Sequence, residues 1–258
     1  SADLARMSVD QIAAISTAGI NQLQNAQIDA LSNEQINALT TAQAGALAPA
    51  ALTRMSSDQI DNLNTDQIAV LSSAQLNSIE AADWATMSSD QIRAISTGAI
   101  AGLDGTRVSN LTSDQVQALT TDQVKALTST ELQNLTANQV KALATDKLDA
   151  LSSAQIKVLS TAQMAALSAT QVGALTTDSA EVGVLSSAQI SAIANTSVSG
   201  LSSAQLGKLN PSQLQALTTG QVRVLSATQL DALTTAQIDS LSTKQINTLT
   251  ASQVSALT

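Results

Sequence analysis

Asp83, Asp104 and Arg107 are the side chains whose types could do chemistry in this sequence. Two carboxylates held close in unlike environments can divide the roles of general acid and general base. Nothing in the sequence fixes Asp83 near Asp104, so surface variation is the better reading of both acids and of Arg107. "LDGTRV" (103–108) contains an Asp-Gly pair, which is a turn signal and not a calcium loop. The chain has no His and no Cys, so the commonest proton-transfer, thiol and transition-metal groups are absent. Its many Ser residues have no His to activate them. No P-loop, GxGxxG or GxSxG pattern occurs. No enzyme activity, catalytic residue, metal or cofactor is expected.

Other features bound the partners. Net charge is −9, with 11 Lys and Arg, and Trp84 is the sole aromatic residue. A chain without basic stripe or stacking rings is not expected to bind nucleic acid. No apolar run approaches the roughly 20 residues that span a bilayer, so no transmembrane segment is expected. Asn110, Asn134 and Asn195 open N-x-[ST] triplets, which chance supplies in so Ser/Thr-rich a chain.

What positions these residues is a repeat. From residue 7 to Leu175, every eighth position holds Leu, Ile or Met. The spacing then widens to ten, to Leu185, and the step of eight resumes to Leu257. Five residues after each of these landmarks stands a second apolar residue, such as Ile156, Met164 or Val172, and Trp84 takes that place once. The residue after the landmark is Ser, Thr, Asn or Asp in 27 of 32 cases, and the fourth after it is usually Gln. The consensus reads L-[ST]-x-x-Q-[ILV]-x-x.

One long helix cannot carry this period, because its apolar stripe would drift by about 80° per octad. In a strand, positions five apart face opposite sides. Only a fully buried strand tolerates that, which leaves a β-solenoid as the alternative fold. A short helix in every octad fits better. Ser or Thr followed three residues later by Gln is a capping box, in which each side chain satisfies an amide of the first turn. Pro49 and Pro211 both fall at N1, where proline is favoured. Nine of the 20 acids fall at N2, and eight of the 11 bases lie one or two residues before a landmark, as the helix dipole prefers. Such short helices cannot stand alone in water and must be stacked.

Sorting the octads alternately yields one set with Gln in 15 of 16 members, Arg107 being the exception, and another with Gln in seven of 15. The second set holds Gly19, Ala51, Asp83, Ala99, Glu131, Lys147, Glu181 and Ser197 at that position. This alternation predicts a coil of 16 residues, two helices per coil. The expected fold is therefore all-α: an elongated α-solenoid of very short capped helices, with a Gln ladder along one side for capping and inter-coil hydrogen bonds. The array is expected to be single and continuous over 1–258, cut from a longer one, with a two-residue irregularity near 176–184 that is either a bulge loop or a bend. Trp84 is expected to fill a widened spot in the core.

"LTTAQIDSLSTKQINTLTASQVSAL" (233–257) resembles the octapeptide tracts of very large bacterial surface adhesins and haemagglutinin-like exoproteins. That resemblance implies an extracellular or cell-surface location and a stalk, spacer or adhesive role. It brings no catalytic residues. A filament or sheath subunit, self-associating through uncapped solenoid ends, is the alternative. A repetitive Ser/Thr surface for ice or polysaccharide, with a glycan or cell-surface partner, is another.

Overall fold

The computed structural model describes residues 3–175 and 182–257. Among them lie thirty α-helices of four to six residues, two 3-10 helices and no strand. Each helix occupies one octad. In the helix Thr121–Ala126, the Thr120 hydroxyl accepts from the Gln123 amide while the Gln123 side chain accepts from the Thr120 amide. The expected capping box thus recurs along the array, and Pro49 and Pro211 stand at N1 of their helices.

The linkers need no glycine. Leu119 closes its helix in an extended conformation (φ −51°, ψ 136°). Thr120 follows, also extended (φ −74°, ψ 161°). Two consecutive extended residues swing the chain into the next helix. No described residue has a positive φ. The usual left-handed glycine terminator is replaced by an aliphatic residue that points into the core.

The chain divides into two compact units, Ser1–Asn134 and Leu135–Thr258. Within each, a helix packs on the third one after it. In the first unit, Thr41–Ala46 meets Thr65–Ala69, and Ser57–Asp61 meets Ala81–Thr86. In the second, Ala137–Ala142 meets Thr161–Ala166. One turn therefore takes three helices and 24 residues.

The expected coil of 16 residues and two helices is overturned by this packing. The alternation of Gln with other residues is real in the sequence, but the turns give it no packing counterpart. A helix with apolar residues at i and i+3 carries only a narrow stripe. Three such stripes meeting on a common axis enclose a core, whereas two would leave its flanks open to water. The Gln side chains consequently stand on all three sides of the turn and not along one side.

The core is thin and aliphatic. Ile60, Leu63, Ile68, Leu71, Leu76 and Ile79 are all buried. Trp84 occupies one of these positions and is fully buried, as expected.

Residues 176–181 lie outside the described part, and with them most of the expected irregularity. Its two extra residues are visible in the spacing around it. Gln189 bonds to Ile156 and Leu159, 33 and 30 residues back. Gln221 bonds to Ile190 and Ile193, 31 and 28 back, the spacing found elsewhere. The 3-10 helix Val182–Val184 packs on the helix Ser153–Lys157 and keeps the three-per-turn order.

Candidate functional site

The recurring polar group of this fold is the N3 glutamine, and its chemistry is that of a clamp. Gln67 illustrates the geometry. Its Oε1 accepts from the Asn64 amide at 2.8 Å. Its Nε2 donates to the carbonyl oxygens of Ile36 (2.9 Å), Asn37 (3.2 Å) and Leu39 (2.7 Å). Those carbonyls stand at the end of a helix of the preceding turn, where the regular helical bonds run out, and Ile36 O accepts from the Leu39 amide besides (3.2 Å). One side chain thereby serves the start of its own helix and the end of another. Gln43, Gln75, Gln91 and Gln123 repeat the pattern in the first unit, as do Gln221, Gln237 and Gln253 in the second.

These glutamines are buried, Gln221 to 0% exposure. A buried amide with all its polar atoms engaged has no free atom to offer a ligand. The clamp is structural by its geometry.

The charged residues singled out in the sequence are engaged separately. Asp83 is buried, and its Oδ1 accepts from the Ser57 hydroxyl. Asp104 caps the helix Gly105–Ser109 by accepting from the Arg107 amide at 2.7 Å. Its own amide donates to Asn77 Oδ1. Arg107 stands in a glutamine position and reaches one carbonyl of the preceding turn, donating from Nη2 to Asn77 O at 2.9 Å. Its Nε is buried with no partner. Asp83 and Asp104 do not come together as a carboxylate pair. No group of three or more acidic side chains able to hold a metal forms among the described residues.

Of the three N-x-[ST] asparagines, Asn110 ends the helix Gly105–Ser109, and Asn134 donates back to Thr130 O. Asn195 is exposed and begins the helix Asn195–Val198.

Three features escaped the sequence reading. Glu131 is buried at 3% exposure and keeps only half of the clamp, accepting from the Thr128 amide. Side chains also bridge successive turns at a separation of 25 residues, as in Arg54–Asp29 (2.9 Å), Thr86–Asp61 (2.8 Å) and Thr53–Ser78 O (2.9 Å). A 24-residue period in the polar residues would have been the signal for these bridges. Finally, charge divides unevenly between the units. Residues 1–134 hold 14 acids and five bases, a net −9, while 135–258 hold six of each. Asp66, Asp90 and Asp114 occupy N2 of helices stacked on one another, a column of like charge in the first unit.

The fold and the clamp define a helical repeat array. Three segments, 140–177, 206–243 and 228–258, match the ALTTAQ repeat family. The chain is similar to that family over these segments. The six letters themselves occur at 38–43 and 232–237, where they span the C-cap alanine of one helix, a buried leucine, the capping Thr and the clamp Gln. No curated protein matches the chain. No described helix is long and apolar enough to cross a membrane.

Proposed function

We propose that this chain is a structural repeat segment, a spacer or adhesive stalk of a bacterial extracellular or cell-surface protein, without enzyme activity. One observation carries the reading. The polar residue that recurs most strictly is buried and engaged in joining turn to turn. What remains for solvent is a skin of Ser, Thr, Ala and Asn with scattered charges of both signs. The three ALTTAQ segments support a repetitive structural role, and the adhesin-like octapeptides support the surface location. Small-angle scattering tests the spacer role: an elongated particle supports it, and a compact particle overturns it. Antibody labelling of intact cells tests the location.

A further inference from the structure

The three N3 positions of a turn can each clamp it to the one before, and one junction in the first unit has lost most of this. At residues 59, 67 and 75 all three are glutamines, and each donates to two or more carbonyls of the preceding turn. One turn later the same positions hold Asp83, Gln91 and Ala99. Gln91 still donates to Ile60 O and Leu63 O, at 2.9 Å each. Ala99 has no donor. Asp83, turned to Ser57, supplies an acceptor where a donor is needed. Among the described residues, no side chain reaches the carbonyls of Leu52, Met55, Ile68 and Leu71, which a glutamine at 83 or 99 would meet.

The helix Ala81–Thr86 is weak in a second way. Its N-cap residue, Glu80, makes no side-chain capping bond. Trp84 holds it by apolar burial, which is non-directional, and leaves Nε1 without a partner. The next turn regains Gln115 and Gln123 and has the single Arg107 bond besides. One glutamine clamp therefore joins the helices Ala81–Thr86, Ser89–Ala94 and Thr97–Ile100 to the turn before them, where the preceding junction has three.

We propose that this junction is the yield point of the first unit, the place where adjacent turns part first. Solenoid turns hold only their neighbours, so a weak junction opens without loosening the rest. The inference rests on the structural-segment reading for its use, since a spacer under load would lengthen here before it unfolds elsewhere. The opening itself is an equilibrium property of the folded chain.

Hydrogen exchange of the full chain, resolved by peptide mass, tests it. Amides of Ala81–Thr86 and Thr97–Ile100 should exchange about tenfold faster than those of Ser57–Asp61 and Ser73–Ser78, as expected for losing two clamps whose net worth is roughly a factor of three each. Asp83→Gln combined with Ala99→Gln should remove most of that difference. Gln91→Ala, which takes the last clamp, should accelerate exchange over 80–103 more than Gln67→Ala accelerates it over 56–79. Equal protection of the two turns in the parent chain overturns the proposal. So does an equal response to the two alanine substitutions, which decides the matter should the double glutamine variant fail to fold. Scattering addresses the spacer role separately: a compact particle with fast exchange at 80–103 would end that role and leave the yield point standing.

Discussion

Gln67 Nε2 lies 2.7 Å from the carbonyl oxygen of Leu39, a residue 28 positions earlier in the chain. The same amide reaches Ile36, 31 positions back. These two bonds fix the turn length, because three helices must pass before a glutamine overlies the end of a helix. They also explain why glutamine, and not glutamate, suits the capping box here. Glutamate can accept from the N-cap amide but cannot donate to the turn below.

Removing a clamp should therefore be costly. Gln67→Ala should destabilise the first unit by about 1–3 kcal/mol, because it leaves the Leu39 carbonyl without its donor and the Asn64 amide without its acceptor. Gln67→Glu keeps the acceptor for the Asn64 amide yet loses the donors, so it should destabilise as well. Urea unfolding followed by circular dichroism measures both. Full stability of Gln67→Glu would show that the cap alone matters.

Restoring a clamp should stabilise. Glu131 occupies a glutamine position and accepts from the Thr128 amide only. Glu131→Gln would place a donor toward the carbonyls of Ile100 and Leu103, 31 and 28 positions back. A gain of about 1 kcal/mol is expected. A thermal melt of the variant beside the parent chain reads it, and a lowered midpoint would contradict the clamp geometry.

Proline separates cap from helix. Ser153 is the first residue of the helix Ser153–Lys157, where proline is accommodated, as Pro49 and Pro211 are in theirs. Lys157 ends the same helix and its amide is needed. Ser153→Pro should be nearly neutral, and Lys157→Pro should cost about 3 kcal/mol or more. Equal effects in denaturation would refute the capped-octad register.

Two glycines should behave oppositely. A Cβ on Gly200 would run into the Ala169 carbonyl oxygen, so Gly200→Ala must push two backbones apart. Gly98 sits in the helix Thr97–Ile100 with nothing within 4 Å of such a Cβ. Gly98→Ala should stabilise by roughly 0.5–1 kcal/mol through helix propensity. Comparative melts of the two variants check the pair.

The charge division predicts a salt response confined to one unit. Residues 1–134 carry the whole net −9, with Asp66, Asp90 and Asp114 in one column. Raising salt from about 10 mM to about 150 mM shortens the screening length from roughly 30 Å to 8 Å. Hydrogen exchange of the first unit should slow, while that of the neutral second unit should change little. An equal change in both would mean that self-repulsion is not what salt relieves.

The sequence alone determined the local structure. Ser, Thr or Asp at N-cap, Gln three residues later and aliphatics at i and i+3 interact within a single octad. Their spacing therefore specifies a helix wherever it occurs, and Trp84 could be placed in the core by its register alone. Long-range closure was decided by the tertiary structure. Whether two or three helices make a turn depends on the angle that Leu119 and Thr120 impose between helices, on three narrow apolar stripes enclosing one axis, and on where Gln123 Nε2 finds a carbonyl: at Ile92 and Ile95. None of these is a near-neighbour preference. The alternation of Gln with other residues mimicked a 16-residue turn because a one-dimensional pattern does not say which residues meet across 24 positions. Asp83 shows the same limit, since its partner Ser57 lies 26 residues away, and only the stacking of turns brings the two together.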